Sequence, residues 1–337
     1  MIYIEPKSTD IAFHLAAEEY AAKNFTQEQS VFMFWRTEKC CIIGRYQIAA
    51  AEIDLQAAHS LGIGICRRSS GGGAMFSDPE NIMYTLVSPF NRSSDDPRKI
   101  EREKFAEPMA RALIKMGVPA VVEGRNDITA EGRKFSGLAQ YAVKNKLCSH
   151  GSLLYNSDLD MLARLLNPDP EKIISKAVSS VKSRVVNISK YFNPKISTDD
   201  FLARLKFNLF EETETETETK TENYEFTEHD IKQINIIRSE KYANPDWTTG
   251  ASPKFSFHSA KRFPAGKIEI FLDVERGIIK SCKIFGDFLG IYPVESLEEK
   301  FINQPHEFGI LSDILAGIDL RFYMGNIKPE ELIECLF

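Results

Sequence analysis

The segment Arg67-Arg-Ser-Ser-Gly-Gly-Gly-Ala-Met-Phe-Ser-Asp78 has the residue types for holding an anion. Three consecutive glycines, Gly71, Gly72 and Gly73, leave backbone N–H groups uncovered, so a phosphate or carboxylate can approach them. Arg67 and Arg68, just upstream, are placed to offer bidentate hydrogen bonds to phosphate oxygens. The alternative is a tight turn on a solvated basic surface. The segment is not a Walker loop, which needs Gly-x-x-x-x-Gly-Lys-Ser/Thr. Nor is Gly62-x-Gly64 a dinucleotide fingerprint, because position 67 is Arg where that pattern needs Gly.

A second cluster is Gly124-Arg-Asn-Asp-Ile128 followed by Arg133-Lys-Phe-Ser-Gly-Leu-Ala139. Lys134 falls between a turn and an apolar-leaning strand. There an ammonium can neutralise charge developing on carboxylate and phosphate oxygens while a carboxylate is adenylated. Asp127 is a candidate to hold Mg²⁺ carried on ATP phosphates, since that ion takes few carboxylates beside waters and phosphates. The plainer alternative makes Lys134 a solvated strand lysine and Asp127 a turn residue. His150-Gly151-Ser152 opens another strand, and a lone histidine there reads by default as a structural hydrogen-bonder. Lys176 to Asn187 is a basic run of the kind that forms a solvated face. No Ser-His-Asp, His-Glu-x-x-His or paired-carboxylate arrangement stands out.

The elements that must position these residues are mixed. Val31–Arg36, Cys41–Gly44 and Asn81–Ser88 read as strands, the last ended by Pro89. Phe105, Met109, Leu113 and Met116 lie on one helical face ahead of Gly117, and Asp158 to Leu166 is a second amphipathic helix, stopped by Asn167-Pro168. Without a regular β-α-β rhythm, the expectation is an α+β fold rather than a doubly wound parallel sheet. Glu211 to Thr219, alternating Glu and Thr, is expected to be a solvated, mobile loop. Asn244 to Gly250 has linker chemistry, and Lys267–Val274 with Ile278–Phe285 reads as a hairpin around Glu275-Arg-Gly277. The division predicted is a catalytic domain over 1–243, a linker over 244–250 and a small C-terminal α+β domain over 251–337.

The 337 residues carry a net charge of −6, which argues against nucleic-acid binding as the main task. No apolar run approaches a transmembrane length, and Met1-Ile-Tyr-Ile-Glu-Pro-Lys lacks the order of a secretory signal. The six cysteines show neither Cys-x-x-Cys nor zinc-site spacing. The expectation is a cytoplasmic monomer with reduced thiols and no membrane contact.

Taken in series, Gly44-Arg-x-Gln47, Arg67 to Ala74, Gly124 to Asp127, Arg133-Lys-x-Ser-Gly-x-Ala139, His150-Gly151 and Ser180-x-x-Ser-Arg-Val-x-Asn187 resemble lipoate–protein ligase A. From Trp247 onward the chain resembles that family's accessory domain. The resemblance implies the mixed sheet shared by biotin ligases and class II synthetase-like folds. It also implies two half-reactions, in which lipoate and Mg-ATP give lipoyl-AMP and an acceptor lysine then takes the acyl group. By position, Arg68, Gly71, Gly72, Gly73, Ala74, Met75, Phe76, Asn126, Asp127 and Lys134 would bind ATP. Lys134, Ser136, Gly137, His150 and Gly151 would bind lipoate, with Lys134 the catalytic residue and Asp127 the metal contact. The implied partner is a lipoyl-acceptor protein, either the glycine cleavage H protein or the lipoyl domain of a 2-oxoacid dehydrogenase acyltransferase. Phe34, Trp35 and Tyr84 are candidates to line a slot for the dithiolane tail. Ser77 and Glu80 depart from the family pattern, which has His and Gly there, and put the loop shape after the glycines in doubt.

Two rivals are an octanoyltransferase of the same fold and a non-catalytic protein that binds lipoyl domains. The first works through an acyl-cysteine upstream of the matching lysine, and Val118 to Arg133 contains no Cys. Intact Lys134 and an intact glycine loop oppose the second.

Overall fold

The computed structural model describes residues 1–124, 126–166, 184–217, 221–248 and 256–337. Its main body is an eight-stranded mixed sheet. The strands are β1 (Ile2–Ile4), β2 (Val31–Trp35), β6 (Asn81–Pro89), β7 (Ala120–Glu123), β8 (Asp127–Ala130), β9 (Arg133–Val143), β10 (Lys146–Leu154) and β11 (Glu222–Asn223). They lie in the order β11-β1-β2-β6-β10-β9-β8-β7. β11, β1 and β2 pair in parallel, and the other pairings are antiparallel. The sequence of β2, Val-Phe-Met-Phe-Trp, is apolar throughout because both faces are covered. Its alternation sends Phe32 and Phe34 into one core and Val31, Met33 and Trp35 into another.

The first of those cores holds the helix Glu107–Lys115, whose Met109 and Leu113 are buried as the helical spacing predicts. The expected single helix is interrupted: Arg102–Ala106 winds as a π-helix just before Pro108. Pro108 has no N–H for the carbonyl four residues back, so the ladder loosens there. The second core is covered by α1 (Ile11–Asn24), capped by Asp10, whose carboxylate accepts from Ala12 N at 2.9 Å. This helix is buried almost all round and carries two buried glutamates, Glu18 and Glu19.

A small sheet is built from β3 (Cys40–Ile43), β4 (Gly64–Arg67) and β5 (Met75–Ser77), with β3 in the middle. The glycine segment connects β4 to β5. The C-terminal part has its own three-stranded sheet, β12 (Phe257–Phe263), β13 (Gly266–Glu275) and β14 (Ile278–Gly286). The β13–β14 turn places Arg276 at φ 51° and Gly277 at φ 78°, the two left-handed positions that suit a right-twisted hairpin. Helices Phe308–Ala316 and Pro329–Leu336 close a separate core with Ile268, Leu272 and Ile284.

The Glu-Thr run is not a loop where it is described. The helix Thr198–Thr217 runs through it to Thr217. Phe201, Leu202, Leu205 and Leu209 anchor that helix in the main core, and propagation from an existing helix costs far less than nucleation. Glu218 and Thr219 lie outside the described residues. So do Asn167-Pro168, most of the basic run up to 183, and 249–250 of the expected linker. The described part of that linker is a short helix, Pro245–Thr248. No helix among the described residues is long and apolar enough to cross a membrane.

Candidate functional site

The two arginines ahead of the glycines have a different task from the one expected. Arg67 is buried and donates to five backbone carbonyls, those of Gly44, Arg45, Gln47, Trp247 and Thr248, at 2.6 to 3.2 Å. Arg68 bends back onto its own loop, with Nη2 donating to the Gly71 and Gly73 carbonyls at 2.7 Å each. Its Nε donates to Ser70 Oγ at 3.1 Å. Burial pulls both guanidinium groups down to about 10, so both stay charged at neutral pH. Arg68 therefore shapes the loop by holding its carbonyls, while Arg67 ties the base of the loop to the backbone at 44–47 and 247–248.

Glycine is required here for close approach. A Cβ on Gly44 would lie 2.0 Å from Gly72 O, so the Gly44-Arg-x-Gln47 motif is the floor on which the glycine loop rests. Gln47 Oε1 accepts from Gly44 N at 2.8 Å, and Arg45 N donates to Ser70 O at 2.9 Å. Gly72 sits at φ 89° and donates its N–H to Phe288 O at 3.1 Å. A Cβ on Gly71 would be 2.4 Å from that same carbonyl. The C-terminal part thus seats the Phe288–Leu289 backbone against the loop. Tyr46 pegs the contact by stacking on Phe288 at 5.1 Å and accepting from Val294 N at 3.1 Å.

Beside the loop opens a cavity of about 290 Å³. Its polar lining comes from Arg68, Asn126, Lys134, Ser136, His150 and Ser152. The rest is apolar, with Trp35, Met75, Met83, Phe135, Leu162 and Leu289 among its walls. Lys134 reaches the cavity from β9 beside a bulge that shifts the β8–β9 register. Its Nζ lies 2.7 Å from Asp127 Oδ1, and its side chain is 40% exposed. A Cβ on Gly137 would fall 2.8 Å from that Nζ, so the missing side chain is what lets the ammonium lie across β9. Asn126 is fixed by its Nδ2 donating to Leu138 O at 2.6 Å. No described residue lining the cavity is Asp or Glu. With Asp127 as the neighbouring carboxylate, the donors fit a cation brought in on phosphates and do not form a cage for a resident metal.

His150 is the structural hydrogen-bonder the sequence suggested, with partners the sequence did not disclose. Its Nδ1 donates to Glu18 Oε2 at 3.0 Å, and its Nε2 is 2.6 Å from Ser70 Oγ. Glu18 also accepts from Thr85 Oγ1 at 2.5 Å, and Thr85 Oγ1 in turn accepts from Trp35 Nε1 at 2.9 Å. A buried carboxylate on α1 is thus linked through one ring to the glycine loop. Cys148 stands next to this carboxylate, with Sγ 3.9 Å from Glu18 Oε2, and the three side chains converge closely enough to suggest a metal site. Burial pushes the Cys148 thiol well up, however, so it stays protonated and is a poor ligand.

The cavity brings together Arg68, Gly72, Gly73, Ala74, Met75, Phe76, Asn126, Lys134, Ser136, Gly137, His150 and Gly151. Gly71 faces Phe288 instead, and Asp127 stands behind Lys134. Of the three aromatics expected in a slot, only Trp35 lines the cavity. Phe34 and Tyr84 face the other core, where Tyr84 Oη meets Ser136 Oγ at 2.9 Å. Gly151 is there because a Cβ would lie 2.7 Å from Tyr84 Cζ. Glu18, Thr85 and Leu289 escaped the sequence reading. Only the oddity of two adjacent glutamates on an otherwise apolar helix gave a hint. All six cysteines are buried, and burial raises Cys40 to about 12 and Cys41 to about 11, which opposes formation of the thiolate that the acyl-cysteine rival needs.

Residues 10–210 match the family described as the lipoyl protein ligase A/B catalytic domain, and residues 252–336 match the bacterial lipoate protein ligase C-terminus. The chain is 36% identical to lipoate-protein ligase LplJ of Bacillus subtilis over the whole of both chains. It is also 36% identical to lipoate–protein ligase 1 of Staphylococcus aureus, over 97% of each. Among solved structures, Plasmodium falciparum LipL1 in complex with lipoate superposes with a TM-score of 0.76 at 21% identity, covering 95% of this chain and 94% of that one. A lipoate-protein ligase A bound with ATP gives 0.62 at 23% identity, covering 74% of this chain and 98% of that one.

Proposed function

The chain belongs to the lipoyl protein ligase A/B family, and we propose that it activates lipoate with ATP and passes the lipoyl group to a lysine of an acceptor protein. The observation that carries this reading is that Lys134 lines the same largely apolar cavity as the glycine-loop residues Gly72 and Gly73. A carboxylate is a poor electrophile because oxide is a poor leaving group, so the acid must first be made a mixed anhydride. In the first half-reaction a lipoate oxygen bonds to the α-phosphorus of ATP and pyrophosphate leaves. In the second the acceptor amine attacks the acyl carbon, AMP leaves, and the amine gives up a proton.

Lys134 can meet both the acid and the phosphate, because it shares one cavity with the glycine loop and the apolar walls. The walls themselves suit an aliphatic acid carrying a dithiolane, with Trp35, Met75 and Met83 offering polarisable contacts. The glycine loop, held by Arg68 and by the Gly72 N–H bond to Phe288 O, offers its other N–H groups to the nucleotide. Mg²⁺ bound to the phosphates would be met by Asp127 and would supply further charge neutralisation there. The domain division at 244–250 belongs to this reading and is supported by matches that stop at 210 and resume at 252. The acceptor belongs to the lipoyl-domain class, such as the glycine cleavage H protein or the lipoyl domain of a 2-oxoacid dehydrogenase acyltransferase.

The test is pyrophosphate release with lipoate, octanoate or biotin, followed by the mass shift of an apo acceptor. Release with lipoate, little with biotin, and a lipoyl mass increment that requires ATP are expected. Acyl transfer without ATP, or no release with any acid, would reject the reading.

A further inference from the structure

Residues 211–251 are matched by neither family domain. Yet the stretch Lys241–Thr248 within them is bound to the back of the glycine segment at every turn. Trp247 Nε1 donates to Arg67 O at 2.9 Å, while Arg67 Nε donates to Trp247 O at 2.8 Å and Nη2 to Thr248 O at 2.8 Å. Lys241 Nζ donates to Ser69 Oγ at 2.9 Å, and Tyr242 Oη lies 2.7 Å from the same oxygen. Both side chains also donate to Glu19 Oε2, at 2.7 and 2.8 Å. Their common reach from adjacent positions follows from the wide π-helical turn Arg238–Tyr242, tied to α1 through the ion pair of Arg238 with Asp10. The Trp247 indole is flanked by two cations, Lys241 at 4.6 Å and Arg45 at 5.5 Å.

The pattern has a counterpart. Adjacent glutamates on α1 serve adjacent serines of the loop: Glu18 reaches Ser70 through His150, and Glu19 reaches Ser69 through Lys241 and Tyr242. The first arm borders the cavity through His150, whereas none of the second arm's residues line it. That arm touches only the protein side of the loop.

We infer that Lys241, Tyr242 and Trp247 form a clasp of positioning residues that holds Arg67 to Ser69 and so fixes the glycine loop for the nucleotide. The inference rests on the ligase reading above. Because none of the clasp's own side chains lines the cavity, loosening it weakens the use of ATP more than that of the acid, and spares the second half-reaction, which starts from a bound adenylate.

The variants are Lys241→Met and Ser69→Ala, which break the same contact from opposite sides. The second keeps Glu19 paired with Lys241 and Tyr242, and serves alone if the first does not fold. Each is expected to raise the KM for ATP in pyrophosphate release by roughly tenfold, since both remove the charge-assisted Lys241–Ser69 hydrogen bond. The KM for lipoate and the rate of transfer from supplied lipoyl-AMP should stay within about twofold, and the double variant should be no worse than the poorer single one. Lys241→Arg, which keeps the donor, should return the KM for ATP towards wild type. An unchanged KM for ATP in folded variants overturns the clasp. So does a parallel loss of all three quantities together with Tm. Failure of the wild-type chain to release pyrophosphate would reject the ligase reading instead.

Discussion

The glycine loop and the β9 rim are both cationic and only a cavity's width apart, but their charges are arranged in opposite ways. At the loop, Arg67 and Arg68 are buried and their donors are engaged by backbone carbonyls. At the rim, Lys134 is 40% exposed and is met by one carboxylate, Asp127. A planar guanidinium with five donors suits the first task, since it can satisfy many carbonyls at once and gather a loop around itself. An ammonium on a flexible stem suits the second, since it can turn from one anion to another. Arg68 thus gathers the glycine loop and Arg67 the segments that flank it, while the motif lysine stays half-exposed at the cavity.

This contrast can be tested by which property each substitution damages. Arg67→Ala should have the largest effect, because it leaves five carbonyls, three of them on buried residues, short of a donor. The stability loss should be on the order of 4 kcal/mol, read as a lower midpoint in urea, with adenylation failing alongside. Lys134→Ala should do the reverse. Its folding midpoint should stay close to wild type, while pyrophosphate release slows by about 3 kcal/mol in the barrier, roughly a hundredfold. A Lys134→Ala enzyme that is folded and fully active would remove Lys134 from the chemistry.

Gly137→Ala comes next. The added methyl would meet the end of the Lys134 side chain at 2.8 Å, and this flexible end can move aside. Stability should therefore change by less than about 1 kcal/mol, with adenylation falling roughly tenfold as the ammonium is displaced. Loss of folding without a specific loss of activity would show that Gly137 serves packing alone. Cys148→Ala should have the smallest effect on turnover. Removing this protonated thiol trims a core side chain at a cost of about 1 kcal/mol, and ATP-dependent ligation should persist within about twofold. Ligation abolished in a folded Cys148→Ala protein would revive an acyl-cysteine mechanism.

The sequence by itself determined the family, the chemistry and most of the cavity's rim. Those depend on local features: three adjacent glycines, a lysine three residues before Gly137, and the alternation that makes β2 and β6 strands. Such features act over a few residues and are visible wherever the chain is read. What the arginines hold was settled only in three dimensions, because a charge is recognisable in a sequence but its partners are not. Arg67 finds carbonyls 20 and 180 residues away, and Glu18 finds His150 across 132. The division of β2 into Trp35 at the cavity and Phe34 in the core also waited on the fold, since alternation says that neighbours part but not which face borders the cavity. Likewise the Glu-Thr run, unremarkable as a helix by composition, is helical where described because Phe201 to Leu209 are anchored just before it. Burial and long-range pairing decided these points, and both depend on where distant parts of the chain come to lie.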